Sequence, residues 1–166
     1  MEESRLLKAS WVLYAVFLVV AAAVTVLNIV RPFDFFVGDY YEVYVGESWS
    51  AFAAQQPRQA ALYENFSRGA SASMLSAIVL GLFITLRAYR RGEPWAWVAL
   101  TAGLIVANGP QVVLSLATAD AMGVLFWAAW LCVGLIILLL PVKDMLGQKA
   151  ATTIPHPADA LSHAQP

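Results

Sequence analysis

Four stretches of the chain are apolar almost without interruption: 10–30, 70–89, 95–117 and 121–140. Each is bounded by charges, Gly or Pro, and each reaches the roughly 20 residues that a helix needs to cross a bilayer. Backbone polar groups in hydrocarbon must be paired within the segment, so these stretches predict transmembrane helices. Barrel strands would alternate polar and apolar residues in ten-residue segments, and none of the four does. Short connections between the later spans predict an all-α, polytopic membrane protein, an antiparallel four-transmembrane-helix bundle. The domain organisation expected is a transmembrane region 1–147, with an outer loop at 31–69, and a disordered cytoplasmic tail at 148–166 rich in Pro and Ala.

The composition agrees. Hydrophobic residues make up 60% and charged residues 13%, with a mean hydropathy of +0.67. A soluble domain carries about 25% charged residues, so this chain lacks the charge to solvate a globular surface. Ten Lys and Arg against eleven Asp and Glu, with no basic stripe, speak against nucleic-acid binding. A single cysteine, Cys132, excludes a disulfide scaffold.

The first span has features of a signal peptide: Arg5 and Lys8 precede the apolar core, and Ala21 and Ala23 suit a cleavage motif. The apolar run continues to Val30, which predicts an uncleaved anchor instead. Lys and Arg in the flanks set the orientation. Seven fall on one side (Arg5, Lys8, Arg87, Arg90, Arg91, Lys143, Lys149) and three, Arg31, Arg58 and Arg68, on the other. Both termini are therefore expected in the cytoplasm of a multi-pass plasma-membrane protein.

The loop after the first span holds ten of the twenty aromatic residues. Disordered linkers are poor in aromatics, so this loop is expected to fold onto the bilayer surface or the bundle. Tyr40 to Val45 reads as a short extended piece, and Ser48 caps a short helix bearing Trp49 and Phe52. Pro57 suits the first turn of the next helix, which no strong breaker interrupts before Arg91. The rings serve either as an interfacial belt or as a docking surface or lid, with Phe35, Phe36, Tyr40, Tyr41, Tyr44 and Trp49 as its contacts. The loop carboxylates lack EF-hand spacing, so no metal site is expected. Asn65-Phe66-Ser67 matches a glycosylation sequon but lies against the membrane in a chain read as prokaryotic.

Within the spans, Gly69, Ser73, Ala77 and Gly81 recur every four residues, a spacing that lets another helix backbone approach closely. That face serves packing inside the bundle or a seam with another subunit. Pro110 interrupts the third span and predicts a kink. Asn108 and Gln111 flank it, Gln111 in the outer half of the span, and Asn28 lies in the outer half of the first span. These polar groups concentrate in the outer half and leave the inner half nearly aliphatic. They pair with one another or, with Trp127, line an outward-opening pocket for a lipid-soluble ligand of quinone, sterol or carotenoid type. Trp127 and Trp130 share a helix face, which suits core packing or lipid contact more than a flat ligand.

No Asp, Glu, Lys, Arg or His lies within a span except near its ends, which disfavours proton-coupled transport and voltage sensing. His156 and His163, both in the tail, cannot build a haem, copper or di-iron site. No Ser-His-Asp or Cys-His set is available, and no cofactor is expected. Catalysis would have to draw on Asp34, Asp39, Glu64 or Asp120.

The turn between the second and third spans reads Arg91-Gly92-Glu93-Pro94-Trp95-Ala96-Trp97, a helix stop, a helix start and two interfacial indoles. It resembles a turn in small four-helix membrane proteins broadly similar to the DoxX-like group. Some of those are subunits of quinone-linked respiratory complexes, so the resemblance implies a partner role and transfers no catalytic residue. The function expected is a non-catalytic accessory or scaffold subunit of a larger membrane assembly, or a homo-oligomer. The alternative is a binding protein or cofactor-free enzyme for a lipid-soluble molecule held by Asn28, Asn108, Gln111 and Trp127.

Overall fold

The computed structural model describes residues 5–33, 41–42 and 45–143. Phe35, Phe36, Tyr40 and Tyr44 of the expected docking set lie outside the described residues, as does the tail 148–166. Regular structure among the described residues is entirely helical. It comprises α1 (Arg5–Val30), α2 (Trp49–Gln55), α3 (Pro57–Arg87), a 3-10 turn (Tyr89–Arg91), α4 (Pro94–Ala117) and α5 (Ala121–Leu139). Apart from the short α2, all four helices are long and apolar enough to cross a membrane. At 1.5 Å per residue the shortest, α5, spans about 28 Å, close to the roughly 30 Å hydrocarbon core.

α1 begins five residues before the apolar run, because Arg5 to Lys8 are good helix formers that extend it into the polar flank. α3 starts at Pro57, which sits where its missing N–H costs nothing, and its 31 residues give about 46 Å. Gly92 adopts φ +74° and donates its N–H to the Tyr89 carbonyl, which ends the helix. Pro94 then opens α4. α4 is continuous through Pro110, which can offer no hydrogen bond to the carbonyl of Val106.

The chain divides into two compact units, Met1–Ala15 with Ile84–Pro166, and Val16–Phe83. In the first, α4 and α5 are the closely packed pair. A Cβ on Gly134 would stand 2.6 Å from Cδ2 of Leu104, so the glycine admits that buried leucine. At the far end of the pair Asp120 caps α5, accepting from the Gly123 N–H at 2.9 Å. The opposite end holds a polar core where aliphatic packing was expected. Ser10 is fully buried, 2.6 Å from the Tyr89 hydroxyl and 2.6 Å from the Ile137 carbonyl, and the Trp97 indole donates to Leu138 O at 2.7 Å. Ser10 and Tyr89 come from opposite halves of the chain, so their pairing is not visible in sequence.

In the second unit, residues 16–30 of α1 bury Phe17, Leu18, Ala21 and Thr25, a stripe at three- and four-residue spacing. Between α1 and α2 the described residues of the piece expected to be extended differ from that expectation. Tyr41 and Glu42 are helical rather than extended, and the Glu42 carbonyl accepts from Gly46 at 2.9 Å, four residues on.

Candidate functional site

Three regions carry the residues singled out from the sequence. The first is the ring cluster of the second unit. Ser48 accepts from the Ala51 N–H at 3.3 Å and starts α2, which places Trp49 and Phe52 on one side. Phe33 stacks on Trp49 with centroids 3.6 Å apart. Tyr41 meets Trp49 edge-on at 5.2 Å and Phe52 at 5.1 Å, and Tyr63 of α3 closes the cluster at 6.0 Å from Phe52. Phe52 is buried; Tyr41 and Trp49 are half-buried. Desolvation among these rings lifts the Tyr41 phenol above its usual pKa, and the carboxylate of Glu47 and the phenol of Tyr63 add to the rise. Tyr41 and Trp49 therefore pack inward as much as they present a surface.

The second region is the small-residue face of α3. Gly69, Ser73 and Ala77 are exposed, and Gly81 is half-buried. A Cβ on Gly69 would meet nothing within 4 Å, and the Ser73 hydroxyl turns back to Gly69 O at 3.1 Å. Packing inside the molecule, one of the two expected uses of this face, does not involve Gly69. Only 11% of the membrane-length window of α3 is buried, against 22–28% for the other three helices.

The third region is the α4–α5 pair. Ser115 meets Gly123 near the turn and Leu104 meets Gly134 further along. That antiparallel register sets Asn108 level with Trp130 and Gln111 level with Trp127. Phe126 lies edge-on to Trp127 at 5.1 Å and parallel to Trp130 at 6.2 Å, so one stretch of α5 is aromatic. Asn108 is 3% exposed and donates from Nδ2 to Leu104 O at 2.9 Å. A carbonyl can only accept, so the amide nitrogen must face Leu104 and Oδ1 is left over. Among the described residues, three buried side-chain oxygens lack a partner: Thr101 Oγ1, Asn108 Oδ1 and Asp120 Oδ2. All three belong to α4 or the turn after it. Gln111 is exposed and Trp127 half-buried. Asn28, also half-buried, belongs to the other unit. The structure thus sets Asn108 and Gln111 of α4 one turn apart, level in register with Trp130 and Trp127 of α5 respectively.

Of the carboxylates considered for catalysis, Asp120 is committed to capping α5, and Glu64 lies 3.2 Å from Arg68 one turn along α3. Asp34 and Asp39 lie outside the described residues.

Four helices of membrane-crossing length and an all-helical fold define a membrane protein. No family model, curated protein or solved structure matches the chain.

Proposed function

We propose that the chain is a non-catalytic subunit of a larger assembly in the plasma membrane, with both termini cytoplasmic, docking a transmembrane helix of another subunit along α3. The observation that carries this reading is the uncovered small-residue face at Gly69, Ser73 and Ala77 on the least covered long helix. Lipid tails are as apolar as Leu, so helices associate in a bilayer by close backbone contact and hydrogen bonds, and small residues permit that contact. The resemblance of the Arg91–Trp97 turn to DoxX-like proteins supports a partner role in the same way.

Gly69→Leu with Ala77→Leu tests it. Both positions are exposed, so the fold should survive while the assembly dissociates. Native mass spectrometry of the protein extracted in mild detergent should show bound polypeptides for the wild type and a single chain for the variant. An unchanged complex would remove α3 as the seam, and a complex of identical chains would make the partner a second copy.

A second reading rests on Asn108. A buried amide oxygen without a donor in an apolar surround costs roughly 1–3 kcal/mol, and a lipid-soluble ligand bearing an O–H or N–H would relieve that cost. The aromatic stretch level with it suits a flat molecule. Asn108→Leu should then abolish retention of a co-purified small molecule while the thermal transition holds or rises; unchanged retention would dismiss the reading.

A further inference from the structure

Three contacts close the first turns of α1 against the turn that ends α3. The Ser10 and Tyr89 hydroxyls lie 2.6 Å apart. A Cβ on Gly92 would stand 3.3 Å from Leu7 Cδ2, so the glycine lets the turn settle against α1. The Arg90 guanidinium stands 5.8 Å from the centroid of the Trp11 ring, within cation–π range. The Ser10 hydroxyl also donates to Ile137 O at 2.6 Å, which ties the last turns of α5 to the same end.

This closure gathers charges that the sequence scatters. Arg5 and Lys8 come from α1, Arg87, Arg90 and Arg91 from the end of α3, and Lys143 from beyond α5, all six exposed. The described residues of this end offer one carboxylate in return, Glu93, which accepts from the Trp95 indole at 2.6 Å. Glu2, Glu3 and Asp144 lie outside the described residues. Trp95 is 56% exposed beside the cations, and indoles of that kind sit at headgroup depth.

We propose that this end is a binding site for the phosphate of an anionic phospholipid headgroup. The cations stand where apolar helices end, which is where headgroup phosphates lie. Guanidinium groups match phosphate oxygens in a planar, two-pronged geometry. Juxtamembrane cations attract anionic lipid in general. Here, however, the Ser10–Tyr89–Ile137 latch and the Trp11–Arg90 contact fix the cation-bearing ends of α1, α3 and α5 against one another, which favours a site over a diffuse positive flank.

The test uses the full chain in neutral detergent, titrated with phosphatidylglycerol or with phosphatidylcholine of the same acyl chains, and native mass spectrometry reads the lipid retained. Phosphatidylglycerol should be preferred by about tenfold, and the preference should fall steeply in about 0.5 M salt. Lys8→Gln with Arg91→Gln should lose most of it. Arg58→Gln with Arg68→Gln removes the same charge elsewhere and should retain it. Equal retention of the two lipids, or equal loss in both variants, would overturn the site. Salt-sensitive binding of a polyglutamate peptide without any lipid preference would also overturn it and assign the array to an acidic protein. If the first variant fails to fold, the salt dependence of the wild type decides alone.

Discussion

At the scale of single residues, the buried latch at Ser10 has a direction. Its one hydroxyl proton goes to the Ile137 carbonyl, which cannot donate, so Tyr89 must be the donor to Ser10. The two obvious deletions are therefore unequal. Tyr89→Phe removes a donor and leaves Ser10 bonded to Ile137, at a cost of about 1 kcal/mol. Ser10→Ala removes an acceptor and a donor together and strands the fully buried Tyr89 hydroxyl, for roughly 1–3 kcal/mol more. The double variant should cost less than the two singles combined, because with both hydroxyls gone neither is left buried without its partner. Thermal unfolding in detergent of the four proteins of the cycle measures this; equal single effects would mean that the hydroxyls do not share one network.

At the scale of elements, the ring cluster around α2 carries a pH dependence of definite sign. The Tyr41 phenol is raised above its ordinary value of 10.0, first by desolvation and then by Glu47 and Tyr63. An acid whose neutral form is favoured on folding contributes stability that is complete below the unfolded pKa. That contribution is lost as pH climbs through the raised folded value. The cluster should therefore loosen above pH 10, and Tyr41→Phe should remove that part of the transition. The difference between the alkaline absorbance titrations of wild type and variant isolates this one phenol; a midpoint at or below 10.0 would contradict the packing. Much of this element was legible in the sequence. Ser48 ahead of Trp49 and Phe52 is a capped helix in the structure, and Pro57 starts α3. The turn at Tyr41 was not legible, because β-prone Tyr and Val favour extended chain on local propensity. In the structure Tyr41 instead meets Trp49 and Phe52 of α2, ring contacts that residue propensity does not encode.

At the scale of the whole molecule, the same contrast separates fold from site. Four membrane-length helices follow from hydropathy alone, because the bilayer admits so few backbone solutions. Which polar groups meet does not follow, since Ser10, Tyr89 and Trp97 find their partners only through helix register. Asn28 and Asn108 were both candidates for one pocket, yet they fall in different compact units. Orientation is the property that still rests on charge. If all four long helices cross, both termini share a side, together with the turn bearing Arg90 and Arg91. The segment containing Ser50 and the turn at Ala119 then share the other. That arrangement can be read with single cysteines in a Cys132→Ser background, at Ser50, Glu93 and Ala119 in turn. In intact cells a membrane-impermeant maleimide should label positions 50 and 119, and position 93 should react only after the membrane is opened. Lys and Arg resist translocation in short loops, so the reverse pattern would require Arg87, Arg90 and Arg91 to have crossed while the turn at Ala119, which has neither Lys nor Arg, stayed behind. Labelling at 93 in intact cells would therefore invert the topology. It would also move the cationic array to the outer leaflet, leaving its residues and its lipid chemistry unchanged.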